Sequence, residues 1–94
     1  MFLRPEASHL CCKDNSISLP ITELQIIAIL LKAAGGTVRR SALEQAAWGL
    51  SKAVTPNALD VALHRLRKKL RLIHSNVDIQ NRRGLGYALH ESTE

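Results

Sequence analysis

Residues 57–72 read NALDVALHRLRKKLRL, and the second half of that stretch sets five arginines and lysines among leucines. Cationic side chains at such spacing can donate charge-assisted hydrogen bonds to phosphates, and a guanidinium can grip guanine with two. On a helical wheel of about 100° per residue, Leu59, Leu63, Leu66 and Leu70 form one narrow stripe. Asn57, Val61, His64, Arg65 and Lys68 fall opposite, with Arg67, Lys69 and Arg71 on the flanks. A merely solvated face mixes acids with bases, yet 61–72 contains no acid, and Asp60 sits on the shoulder one turn earlier. A second basic element is Arg82-Arg83-Gly84-Leu85-Gly86, which reads as a hairpin tip. There Gly84 lets the backbone come close to a phosphate, and an arginine can enter a narrow minor groove.

Other chemistries find less support. His9, His64, His74 and His90 are scattered, with no i,i+4 partner and no nearby cysteine pair, so no metal site is expected. Cys11 and Cys12 are adjacent and would point to opposite faces of a strand, which suits reduced thiols rather than a disulfide or a ligand pair. No nucleophile elbow, phosphate-cradling glycine loop or paired carboxylates occur, so neither catalysis nor a cofactor is expected. Trp48 reads as partly buried structure whose indole N–H is free for a phosphate, and Tyr87 is divided evenly between packing and phosphate binding.

The net charge of +5 favours a polyanionic partner. The longest apolar run, 24–34, is interrupted by Gln25 and Lys32 and falls well short of the ~20 residues that span a bilayer. MFLRPEASHL lacks the apolar core and cleavage site of a secretion signal, so a cytoplasmic chain that does not engage membranes is expected.

These side chains need a scaffold, and 94 residues suffice for a single small domain over 1–94. Its core must rest on Leu, Ile, Val and Ala, because Phe2, Trp48 and Tyr87 are the only aromatics. Leu3, Leu10, Cys12, Ile17 and Leu19, with turn chemistry at Lys13-Asp14-Asn15-Ser16, predict short antiparallel strands over 1–19. A first helix is predicted over 22–34, ended by Gly35-Gly36 in a left-handed turn. Ser41 and Glu44 make a capping-box pattern, and a second helix is predicted over 40–48, closed by Gly49. Thr55-Pro56 offers a cap and a first-turn proline for a third helix over 56–73. Alternation at Val77 and Ile79 and the return at 87–89 predict a terminal β-hairpin over 77–90, with 91–94 as a frayed tail. The fold class is therefore α+β: a winged helix-turn-helix with an N-terminal antiparallel sheet, a three-helix core and a C-terminal β-hairpin wing.

The chain resembles the OmpR/PhoB-type winged-helix effector domains of bacterial two-component response regulators. The matching stretches are Leu19-Pro20-Ile21-Thr22-Glu23, Ala47-Trp48-Gly49, Leu59-Asp60-Val61, Arg65-Leu66-Arg67-Lys68-Lys69-Leu70 and Arg83-Gly84-Leu85-Gly86-Tyr87. Each is weak alone; their order and spacing carry the match across almost the whole chain.

The resemblance implies sequence-specific binding of double-stranded DNA, in tandem on direct-repeat half-sites, with the third helix in the major groove. It implies that Asp60, Val61 and Arg65 face base edges, that Trp48, Arg67 and Tyr87 hold phosphates, and that Arg83 reaches the minor groove. It further implies that the loop over 49–54 can touch RNA polymerase, and that a receiver domain and sensor kinase stand upstream of a domain excised from a longer regulator. The chain departs from the family at Asn57-Ala58, Ala62 and His64, which weakens phosphate anchoring at the start of the third helix. Pro20 and Arg39 replace the usual caps, implying helix starts near Thr22 and Ser41. The alternative is a stand-alone module that binds RNA or a protein. A protein-docking face would show aromatic anchors, and this one has only Val61.

Overall fold

The computed structural model describes residues 2–4, 9–12, 15–49, 55, 57–73 and 75–91. Strands β1 (Phe2–Arg4), β2 (His9–Cys12) and β3 (Asn15–Ser18) form an antiparallel sheet in that order. Leu10 pairs with Leu3 and Ile17, and Cys11 pairs with Phe2 and Ser16. Asn15 and Ser16 thus belong to β3 rather than to the preceding turn, because the ladder to β2 extends to the Cys12–Asn15 pair. Residues 13 and 14 of that turn, and the side chains of Leu3 and Cys12, lie outside the described set. Cys11 is buried and free.

Helix α1 (Ile21–Lys32) begins as Leu24 N–H donates to the Pro20 carbonyl at 2.9 Å, so Pro20 is its cap and the helix starts at Ile21, not Thr22. Ile26, Ile27 and Leu30 are fully buried. The helix ends two residues sooner than the glycines suggested. Ala34 already takes a left-handed φ of 51°, ahead of Gly35 at 89°. An alanine there costs roughly 1–2 kcal/mol relative to the right-handed region, which the packing of the turn must offset.

Helix α2 (Arg40–Trp48) is capped by Arg39 without a side-chain hydrogen bond. Ser41 and Glu44 therefore do not form the capping box: both already lie inside the helix, and the Arg39 carbonyl accepts from Leu43 at 3.1 Å. Gly49 closes α2 at φ 81°.

Helix α3 (Ala58–Leu72) starts two residues after the Thr55-Pro56 signal. Ala58 N–H donates to the Thr55 carbonyl in a tight turn, and the first full helical bond runs from Val61 to the Asn57 carbonyl. Asn57 is the cap, again without a side-chain bond; Pro56 and the 50–54 connector lie outside the described residues. Leu59, Leu63, Leu66 and Leu70 are at most 1% exposed, so the leucine stripe faces the core. An acid is buried with them. Glu23 of α1, 2% exposed, accepts from Lys69 Nζ at 2.6 Å, which draws that flanking lysine inward and ties α1 to α3.

Strands β4 (Val77–Arg82) and β5 (Gly86–Glu91) form the hairpin, with Glu91 paired to Val77 rather than frayed. Arg82 is the last residue of β4 and pairs with Gly86, so of the two arginines only Arg83 stands in the turn. Leu85 N–H closes that turn on the Arg82 carbonyl at 2.8 Å, and Gly84 takes φ 76°. Near its turn end the hairpin is joined to the segment before α2 by an isolated bridge, Val38 to Tyr87, with backbone bonds of 2.7 and 2.9 Å. The architecture is a winged helix-turn-helix.

Candidate nucleic-acid interface

The burial of the leucine stripe fixes which side chains α3 presents. Val61 is 45% exposed, and His64, Arg65, Lys68 and Arg71 are all exposed. His64, Arg65, Lys68 and Arg71 have no hydrogen-bond or ion-pair partner among the described residues. This leaves a basic surface whose donors are available to a ligand. Arg83 on the wing is likewise exposed and unpartnered among the described residues, beside exposed Gly84.

Other residues singled out from sequence are engaged within the chain. Arg67 is half-buried, and its Nε and Nη2 donate to the Ile79 carbonyl at 3.1 and 3.0 Å, clamping β4 to α3. Arg82 Nη1 donates to Thr37 Oγ1 at 2.7 Å. Tyr87 is buried at 7% exposure, and its hydroxyl accepts from Arg40 Nη1 at 3.0 Å. Trp48 is half-buried and packs against the core at the end of α2. Asn57 is exposed at the start of α3.

Asp60 is exposed but not free. Arg40 Nη1 donates to its Oδ1 at 2.9 Å and Nη2 to its Oδ2 at 3.3 Å. That hydrogen bonding from Arg40 holds the Asp60 carboxyl below the usual carboxylate range, and Asp60 in turn raises the Arg40 guanidinium. The pair's contribution to stability is thus present above about pH 4 and is lost as acid protonates Asp60 below that range.

Sequence reasoning passed over Arg39 and Arg40. A signal existed: two cations at a helix N-terminus oppose the helix dipole, so each calls for an anion nearby. Arg40 has Asp60; Arg39 is exposed, with no partner among the described residues. A cleft of about 440 Å³ opens between this end of α2 and the wing, lined by Arg39, Arg40, Ser41, Arg82, Arg83 and Gly84 among others. Its cationic walls suit a phosphate.

The engagement of Arg67 changes what its loss should do. Arg67→Ala should destabilise the domain by about 1–3 kcal/mol, because the Ile79 carbonyl loses both its donors in a partly buried site. It should leave the salt dependence of any DNA affinity unchanged. Lys68→Ala should do the reverse, keeping the melting temperature and making the slope of log K against log salt shallower by ~0.9. Melting curves and salt titrations of the two variants separate the roles.

Three helices, an anchored hairpin wing and an outward basic helix face define a winged-helix module of the kind that engages polyanions. The chain belongs to the family of the C-terminal domain of transcriptional regulatory proteins, whose model matches residues 14–89. It is 32% identical over 89 residues to the response regulator protein PmrA of Pseudomonas aeruginosa, covering 95% of this chain and 38% of that protein. The chain spans about two fifths of the length of the curated relatives it matches. The C-terminal domain of the nisin resistance regulator NsrR, a lantibiotic response regulator, superposes with a TM-score of 0.73 at 32% identity, covering 88% of this chain and 84% of that one. The DNA-binding domain of the response regulator AdeR, solved in complex with an intercistronic region, shares the fold with a TM-score of 0.81 at 21% identity, covering 97% and 94%. Among the described residues no helix is long and apolar enough to cross a membrane.

Proposed function

We propose that this domain binds double-stranded DNA sequence-selectively and serves as the output domain of a bacterial two-component response regulator. The observation that carries the reading is the outer face of α3, where Val61, His64, Arg65 and Lys68 are exposed while the leucine stripe opposite is buried. In this reading α3 enters the major groove, Arg65 donates two bonds to a guanine, and Val61 packs on a thymine methyl. His64, Lys68 and Arg39 hold phosphates, and Arg83 enters the adjacent minor groove. One reading helix covers few base pairs, so two copies bind in tandem on direct repeats about one helical turn apart. A receiver domain and a sensor kinase act upstream, the 49–54 loop touches RNA polymerase, and the regulator works in the cytoplasm.

Selection of bound duplexes from a random library with the purified domain tests this. A direct repeat should emerge; a single inverted repeat, or no enrichment, would defeat the arrangement. Arg65→Ala should then cost ~1–3 kcal/mol on the selected site and relax preference at one base pair, with its melting temperature unchanged. Parallel loss on selected, single-mismatch and scrambled duplexes would make Arg65 a mere cationic anchor.

A further inference from the structure

We infer that Arg40 is a positioning residue for the DNA-reading surface, and that Asp60 serves it as an anchor instead of reading a base; this rests on the function proposed above. One guanidinium joins three elements. From the first turn of α2, Arg40 grips both carboxylate oxygens of Asp60 at the start of α3 and donates to the Tyr87 hydroxyl on β5. Glu44, one turn along α2, lies 3.8 Å from Nε in a longer ion pair. The planar fork of arginine suits such a bridge, because its donors diverge at fixed angles; a lysine ammonium concentrates its charge at a point.

The bridge does little for stability. Its ion pair is solvent-exposed, with side chains 38% and 56% accessible for Arg40 and Asp60, and exposed pairs contribute little. What it fixes is geometry. Tyr87 is the residue through which the wing pairs with Val38 and lies next to the wing's turn, so Arg40 spans from near the wing tip to the first turn of α3. These are the two elements that must meet adjacent grooves together, and small misplacements of groups that act jointly are costly. With each oxygen already accepting from Arg40, about two of the roughly four acceptor sites of the Asp60 carboxylate are occupied, and its orientation is set by Arg40 rather than by a base. The lowered titration range of Asp60 agrees with a carboxylate held in its charged, bridged form.

Asp60→Asn separates three accounts. As an anchor, its loss should lower affinity for the selected site about tenfold, one typical coupling energy, without changing base preference or melting temperature. As a base reader, its loss would switch preference at one base pair. As a mere anion near a polyanion, its removal would strengthen binding. Either of the last two results overturns the inference.

Arg40→Gln should match Asp60→Asn, and the double variant should be no worse than either single one; additive losses would overturn the inference. Arg40→Lys keeps the charge and should still lose affinity, whereas full retention would show that charge and not the bridge matters. The unaltered domain is measured alongside. If it shows no selectivity, the function proposed above fails; if it is selective and Arg40→Gln binds equally well, the positioning role alone fails.

Discussion

Leu66→Asn should unfold the domain without first altering its sequence preference. Leu66 has no exposed surface and sits mid-stripe on α3, facing the core. Truncating a buried leucine costs about 2–5 kcal/mol, and an amide buried without partners adds about 1–3 kcal/mol. A small domain holds only about 5–15 kcal/mol in total. The variant should therefore melt far below the parent, or not fold at all. Circular dichroism melting checks this. A variant that melts like the parent but loses DNA would mean that α3 faces the other way.

Gly86→Ala should be the most damaging single methyl. A Cβ at this position would stand 2.2 Å from the Val38 carbonyl oxygen and 2.8 Å from its carbon, at a φ of 141°. The obstacle is backbone, so no rotamer change relieves it. Backbone strain and overpacking each cost about 1–3 kcal/mol, and here they act together at the bridge that anchors the wing. The melting temperature should fall by roughly 4–8 °C for each kcal/mol lost. Gly84→Ala is the control: φ is 76°, but nothing lies within 4 Å, so only the conformational cost of roughly 1–2 kcal/mol applies. Equal losses in the two variants would show that the close approach to Val38 is not what position 86 protects.

The sequence made faces legible more readily than partners. The helical period projected Leu59, Leu63, Leu66 and Leu70 to one side and Val61, His64, Arg65 and Lys68 to the other, and the burial follows that division. Periodicity is local, and it survives because α3 is long enough to express it. The hydrogen bonds of Arg67 to Ile79 and of Arg40 to Asp60 and Tyr87 join residues 12, 20 and 47 positions apart, and no pattern in one strand or helix encodes them. Cap signals misled for a related reason. Ser41-x-x-Glu44 and Thr55-Pro56 are sound local signatures, but the helix starts were decided by backbone bonds to Arg39 and Asn57. The glycine at 86 was visible as turn chemistry; its need for space against Val38 was not, because that contact comes from the fold of the wing onto the segment before α2.

In the proposed binding mode the basic face of α3 and the wing tip meet DNA while the leucine stripe holds the core. Amide chemical-shift mapping of the labelled domain, titrated with the library-selected duplex and with a scrambled one, tests it most directly. The selected duplex should move Val61, His64, Arg65, Lys68 and Arg83 most, while the exposed residues of α1, such as Gln25 and Lys32, should stay still. Perturbations centred on α1 with α3 silent, or identical maps for both duplexes, would contradict it.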